Sequence, residues 1–272
     1  MRWNTFTGLG LGILGAAVLW RGYTNTKRLA LRTETVIVPD LPAAFDGFRL
    51  FHITDMHLRQ DSPVGEELLA LVTQLDPDLV CLTGDYAFTA LSLDDVESFF
   101  ARLSERPAVG VYGNADYRPD MSSEMRAGWS RFFPFLSNSA LALERQGETL
   151  WVAGVDDPHL GRDSLYSALE SVPEDAPVIL LAHSPEIIQR PLDPRIRLIL
   201  SGHTHGGQIC LPSGQALYHN TGLPASYSSG RHDVNGATLY VSRGIGSTRL
   251  PLRYGCVPEV TLFTLWRGGE DV

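Results

Sequence analysis

Along most of the chain, short apolar runs rich in β-branched residues alternate with longer stretches of helical periodicity. Five runs stand out: Arg49-Leu-Phe-His-Ile-Thr, Leu79-Val-Cys-Leu-Thr-Gly, Ala108-Val-Gly-Val-Tyr-Gly, Val178-Ile-Leu-Leu-Ala and Ile196-Arg-Leu-Ile-Leu-Ser-Gly. Each is about the length of a strand and stops at a polar or charged residue. Pro63 to Leu75, with Leu68, Leu69, Leu71 and Val72 on one face, and Leu93 to Leu103 read as helices between them. Thr35-Val-Ile-Val-Pro and Leu150-Trp-Val-Ala-Gly-Val add short strands. Near the C-terminus, Gly236-Ala-Thr-Leu-Tyr-Val-Ser and Glu259-Val-Thr-Leu-Phe-Thr-Leu predict two strands close in sequence, which adds a more antiparallel component. Strands separated by helices point to a layered α/β architecture.

The N-terminus breaks this pattern. From Trp3 to Trp20 there are 18 consecutive uncharged residues, mostly Gly, Leu, Ile, Ala and Val, with Arg2 and Arg21 just outside. That length is about the minimum for a bilayer span, and the Trp at each end suits the two interfaces. A cleaved signal peptide is the competing reading, although Arg2 alone forms its positive region and no A-x-A-like site follows. Arg21, Lys27, Arg28 and Arg32 follow the run while only Arg2 precedes it, so a retained span leaves the bulk of the chain on the cytoplasmic side. The organisation expected is therefore an anchor and basic linker over 1–33 and a catalytic domain over 34–272.

Charge sharpens the division. Residues 1–33 hold five basic side chains and no acid, whereas the rest carries 17 basic and 31 acidic ones. The overall charge of −9 argues against nucleic acid as a partner. Three cysteines, Cys81, Cys210 and Cys256, cannot build a disulfide framework. With 44% hydrophobic residues the chain has ample material for a core.

The chemistry lies at the ends of the five runs. They lead in turn into Asp55-Met-His57, Gly84-Asp85, Gly113-Asn114, His183 and Gly202-His203-Thr-His205. Open α/β sheets place their sites at strand ends, and each of these residues is a metal-ligand type. Taken singly, a D-x-H, a Gly-Asp or Gly-Asn turn and a buried histidine are all structurally ordinary. Taken together, four imidazoles, two carboxylates and an amide oxygen suit two ions about 3.5 to 4 Å apart, sharing one carboxylate. Mixed N and O donors favour Mn, with Fe, Zn or Co as the other fitting ions. Asp55 and His57, at i and i+2, either share a strand face or converge in a tight turn.

These motifs resemble those of the calcineurin-like metallophosphoesterases. The spacings of 30 from Asp55 to Asp85 and 29 from Asp85 to Asn114 are similar to that family. The resemblance extends to a membrane-anchored bacterial subgroup through Pro42-Ala-Ala-Phe-Asp-Gly-Phe-Arg-Leu and Tyr240-Val-Ser-Arg-Gly-Ile-Gly, and covers roughly residues 35 to 266. It implies an α/β fold, a β-sandwich of mixed sheets flanked by helices, here preceded by the transmembrane helix. It also implies that Asp55, His57, Asp85 and His205 hold one ion and Asp85, Asn114, His183 and His203 the other, with Asp55, Asp85 and Asn114 as catalytic residues. Relatives of this kind hydrolyse the lipid A precursor UDP-2,3-diacylglucosamine at the inner membrane, which makes a membrane lipid or lipid-linked nucleotide the expected substrate.

One position departs from the family. A histidine that assists the leaving group usually follows the Gly-Asn pair, and this chain has Ala115. A general acid is worth about 10²- to 10⁴-fold in rate, most for a poor leaving group. The departure therefore tilts the expectation towards pyrophosphates or activated esters. It also leaves open a broad phosphodiesterase or a metal-binding pseudoenzyme. Arg243 and Arg253 are candidate phosphate contacts, because a guanidinium fork matches phosphate geometry. Asp156 and Asp157 read as a turn or as support for the ligands; His52 reads as packing, His159 as exposed, and His219 and His232 as loop. Oligomeric state has no signal in the sequence.

Overall fold

The computed structural model describes residues 15–60, 62–248 and 250–268. Two mixed sheets face each other. The first has the order β1-β11-β2-β3-β4 and the second β5-β6-β7-β8-β10-β9. The first comprises β1 (Ala30–Ile37), β2 (Arg49–Ile53), β3 (Leu79–Thr83), β4 (Ala108–Val111) and β11 (Glu259–Trp266). The second comprises β5 (Ser139–Arg145), β6 (Glu148–Gly154), β7 (Val178–Leu181), β8 (Ile196–Ser201), β9 (Gly230–Val234) and β10 (Ala237–Val241). Parallel pairing of β2 with β3 and β3 with β4, and of β6, β7, β8 and β10 in turn, brings the carboxyl ends of the central strands to one edge of each sheet.

The five runs form strands because both of their faces are covered, which removes the polar alternation of a half-wet strand. Along β3, Leu79 and Cys81 point between the sheets while Val80 and Leu82 point to the outer helices. Along β7, Ile179 and Leu181 face inward, and Val178 and Leu180 face out. The outer layer of the first sheet is α2 (Val64–Leu75) and α3 (Leu93–Leu103), close to the helices expected. A cluster of aromatic edges around Phe100, Tyr86 and the fully buried Trp129 of α4 (Ser123–Trp129) closes it. The small α5 (Leu165–Leu169) covers the second sheet.

Two local expectations change. The stretch read as linker over 21–33 contains the end of a helix, α1 (15–25), and the start of β1 at Ala30. Parallel pairing with β11 creates that strand, a contact 229 residues away that no local pattern reveals. The two C-terminal strands supply the antiparallel component expected, each in a different sheet: β10 pairs β9 in the second and β11 pairs β2 in the first. His232, read as loop, sits in edge strand β9 opposite Leu239. The expected span Trp3–Trp20 falls mostly outside the described residues. Among those described, 15–20 are helical and exposed, and no helix is long and apolar enough to cross a membrane. The base of α1 is fixed: Arg253 N donates to Gly22 O at 3.0 Å, and Asn25 Nδ2 donates to Arg253 O at 2.9 Å.

Candidate metal centre

The loops leaving β2, β3, β4, β7 and β8 bring all seven expected ligands together between the two sheet edges. Asp55 and His57 both have left-handed backbone, so they do not share the face of an extended strand. Five of the seven have left-handed backbone: Asp55 at φ 50°, His57 at 39°, Asp85 at 58°, His203 at 69° and His205 at 51°. A side chain in that region costs on the order of 1 kcal/mol or more, so the conformation has to be imposed by neighbours. Asp55 N donates to Gly84 O and His57 N to Asp85 O, each at 3.0 Å, zipping the first loop onto the second. His203 N donates to Asp55 Oδ2 at 2.9 Å, which ties the second sheet to the first. Glycine is required at 113, where a Cβ would fall on Asp85 Oδ1 and the His183 ring.

Hydrogen bonds also settle which histidine nitrogens face the site. His183 Nδ1 donates to Thr83 O at 2.6 Å, leaving the lone pair of Nε2 free. His203 Nε2 donates to Asn220 O at 2.6 Å, which presents Nδ1 instead. A carbonyl partner fixes the tautomer and orients a ligand ring in this way.

The free atoms converge in two groups, built on Asp55, His57 and His205 and on Asp55, Asp85 and His183, with Asp85 also bordering the first through His57. In one, His57 Nε2 lies 3.1 Å from His205 Nε2 and 3.3 Å from Asp85 Oδ2, and His205 Nε2 lies 3.4 Å from Asp55 Oδ1. In the other, His183 Nε2 lies 3.5 Å from Asp85 Oδ1, 3.2 Å from Asn114 Oδ1 and 3.2 Å from His203 Nδ1. Donor atoms about 2.0 to 2.2 Å from a common ion are about 3 to 3.5 Å from one another, so these spacings are those of ligands around a metal. Asp55 Oδ1 is buried with no hydrogen-bond partner, a costly state for a carboxylate oxygen unless a cation completes it. The residues therefore fit two divalent ions, and the mixed N and O donor set leaves the choice of metal open.

The electrostatics agree. Burial pushes the carboxyls of Asp55 and Asp85 up, the latter to about 8. Burial pulls His57 down to about 3, and His203 and His205 well below the usual imidazole range, so they stay neutral and able to ligate. Burial also lowers His183, but Asp85, Asp55 and Asp157 overcome it and hold the ring up to about 9. Such a cluster is short of positive charge at its centre.

Other expected residues fall differently. Arg253 is fully buried and cannot reach a substrate. Its Nη1 donates to Arg243 O at 3.0 Å, Nη2 donates to Gly246 O and lies 3.3 Å from His205 Nδ1, so it props up the loops behind that ligand. Arg243 lies 3.7 Å from the buried Glu259 and packs beside Gly206. Asp156 accepts from Tyr117 Oη at 2.6 Å and pairs with Arg162; Asp157 caps the following turn through His159 N and Leu160 N. Both act as turn residues. His52 is buried against Thr83 Oγ1 at 2.8 Å. His159 is exposed, as expected, but is not idle: it pairs with Glu186 at 3.0 Å and lies against the His203 ring.

Two residues escaped sequence reading. Asp116 accepts from Asp85 N and Gly113 N at 2.9 Å and from Tyr86 N at 3.1 Å, binding the second and third ligand loops together. Arg118 lines the cleft of about 390 Å³ above the donors, with Phe88 and Ala115. It follows Asn114 by four residues, and the 3₁₀ turn Asn114–Tyr117 carries it to the cleft wall.

A two-sheet sandwich with paired donor sets at its strand ends, bridged by one aspartate, defines a dinuclear metal hydrolase. The calcineurin-like phosphoesterase family matches residues 48–207, more than half of the chain, and the protein belongs to that family. It is 30% identical to the metallophosphoesterase YkuE of Bacillus subtilis over 96% of this chain and 94% of that one. It is 29% identical to the phosphodiesterase YaeI of Escherichia coli over 80% and 82%. A dimetal phosphatase from Danio rerio shares the fold, at a TM-score of 0.50 and 11% identity over 81% of this chain and 93% of that one. The chain is a metal-dependent hydrolase of phosphoesters.

Proposed function

We propose that the protein is a membrane-anchored hydrolase of activated phosphodiester or pyrophosphate bonds in lipid-linked nucleotides of the UDP-2,3-diacylglucosamine kind, with its site on the cytoplasmic side of the inner membrane. The observation that carries this reading is the methyl group of Ala115 in the cleft beside intact donor sets. Divalent ions bound there would polarise phosphoryl oxygens and acidify a water. Asp85 would be shared between them, and Ala115 N donates to its Oδ1 at 2.7 Å, which fixes that carboxylate. Thr83 O and Asn220 O keep His183 and His203 in the ligating tautomers. Position 115 offers no proton to the departing oxygen, so a phosphate or nucleotide leaves more readily than an alkoxide. The uncharged run of residues 3–20 and the basic residues that follow it support the anchor and its orientation.

The test compares the full chain with Ala115→His in Mn²⁺ on three substrates: a UDP-linked acyl sugar, an aryl phosphodiester and a dialkyl phosphodiester. Cleavage of the first two without histidine, and a gain of about 10²-fold on the dialkyl ester with it, is expected. A broad phosphodiesterase, the reading favoured by the name of the Escherichia coli relative, would cleave the aryl ester and leave the acyl sugar intact. No cleavage of any substrate until histidine is restored would refute catalysis by this chain. Protease digestion in oriented vesicles tests the topology, and digestion only from outside would overturn it.

A further inference from the structure

A second hollow, of about 430 Å³, adjoins the cleft above the donors, and His203, His205, Asn220 and Thr248 line both. A molecule seated at the donor cluster therefore has this hollow open beside it. The two spaces differ in character. The cleft carries Asp85 and Arg118, whose guanidinium donates to Ala87 O at 3.0 Å and lies 3.6 Å from the Asp120 carboxylate. Among the described residues, the second hollow has no acidic, lysine or arginine side chain on its wall and is bounded by Ile209, Leu217, Tyr218 and Leu250.

Leu217, Tyr218 and Leu250 are 62%, 72% and 57% exposed. Single exposed apolar residues are ordinary on a soluble surface, but three converging on one concavity mark a binding surface. The loops that carry them are braced. Cys210 N donates to Tyr254 O and Tyr254 N to Gln208 O, both at 2.8 Å, and Leu217 N donates to Ile209 O at 3.0 Å. At the shared end two acceptors are already engaged: Thr248 N donates to Gln208 Oε1, and His203 Nε2 donates to Asn220 O. A sugar or a base would find those two acceptors taken. A hydrocarbon group loses nothing and buries apolar surface.

We infer that this hollow is the subsite for the hydrocarbon group of an amphiphilic phosphodiester whose phosphoryl group lies at the donor cluster. The inference rests on the phosphoesterase reading of that cluster and adds the chemistry of the group attached to the phosphorus. The same loop supports this occupant, because Gly22 N donates to Tyr254 Oη at 3.0 Å. Helix α1, with Val18, Leu19 and Trp20 exposed, is thus tied to Tyr254, whose backbone bonds to Gln208 of the hollow wall.

The experiment measures kcat/KM of the full chain in Mn²⁺ on alkyl 4-nitrophenyl phosphates with ethyl, butyl, hexyl and octyl groups, all kept below micelle formation. Burial of each methylene should raise kcat/KM by about two- to fourfold until the hollow is filled. In Leu217→Ser/Leu250→Ser the rise per methylene should fall towards onefold. The slope is taken within each enzyme, so a uniform loss of activity cancels. Tyr218→Ser gives an independent slope should the double variant not fold. A flat series in the unaltered chain, or an unchanged slope in the variants, overturns the subsite. Failure to hydrolyse even the ethyl ester refutes the phosphoesterase reading itself, and the subsite falls with it.

Discussion

Asp116→Asn isolates the frame of the site from its ligands. The Asp116 carboxylate is fully buried and receives three backbone N–H groups: Oδ2 from Asp85 and Gly113, and Oδ1 from Tyr86. Asparagine has nearly the same shape but one acceptor oxygen, whose two lone pairs can serve the Asp85 and Gly113 amides. Its NH₂ then replaces Oδ1 and meets the Tyr86 N–H, donor against donor. A hydrogen bond to a charged group contributes about 1.5 to 3 kcal/mol, and an orphaned buried N–H costs a similar amount when its partner is removed. These describe one loss from two sides. Relief of carboxylate desolvation, which pushes Asp116 up, offsets part of it. The net expectation is a destabilisation of about 2 kcal/mol.

Urea unfolding with a chelator present measures this without contribution from bound ions. With a slope of about 2 to 3 kcal/mol/M, the midpoint should fall by roughly 0.7 to 1 M. Because the Asp85 and Gly113 amides keep their acceptor, Mn²⁺ binding measured by calorimetry should weaken by no more than the 10- to 100-fold typical of a residue supporting a ligand. An unfolding midpoint within about 0.2 M of the unaltered chain would refute the account of Asp116 as the clamp between these loops. So would complete loss of metal binding in a variant that remains folded.

Asp85→Ala removes the bridge between the donor groups; kcat/KM should drop by about 10³-fold or more, since Lewis-acid stabilisation is worth several kcal/mol, and metal analysis should find fewer ions per chain. Turnover near that of the unaltered chain would contradict the shared site. His52 titrates near 3 when folded because burial disfavours its charged form. The unfolded chain binds that proton below about 6.5, so the stability conferred by neutral His52 is complete above 6.5 and is lost as pH falls towards 3. His52→Gln keeps a partner for Thr83 Oγ1 and removes the titration. The unaltered chain should lose about 1 kcal/mol more than this variant between pH 7 and 5.5, as denaturant unfolding at the two pH values would show. Equal losses would show that His52 is not the group responsible.

The parts of the fold legible in sequence are those whose burial is symmetrical. β2, β3, β4, β7 and β8 lie inside a sandwich with helices outside, so their apolar runs are nearly continuous. β5 and β9 are edge strands with alternating or polar sequences, Ser-Ala-Leu-Ala-Leu-Glu-Arg and Gly-Arg-His-Asp-Val, and nothing local separates them from loops. β1 depends on a partner at the other end of the chain, so its first residues looked like linker.

For the site, residue type was enough to find the ligands and not enough to orient the arginines. Arg253 and Arg118 present the same side chain to sequence reading. One is swallowed by five loop carbonyls and a ligand histidine, and the other lines the cleft wall. That distinction belongs to the loops after β4 and β10, the latter held by contacts such as Arg253 with Gly22, 231 residues apart. The ligands escape this ambiguity because the strand ends fix where they stand. What the motifs conceal is that five of those ligands occupy left-handed backbone, four of them tied by hydrogen bonds to another ligand loop and His205 backed by Arg253 and Cys256. The site is therefore cooperative: Asp55 is held by Gly84, His57 by Asp85, His203 by Asp55, and the Asp85 loop by Asp116, so loosening one loop loosens the next.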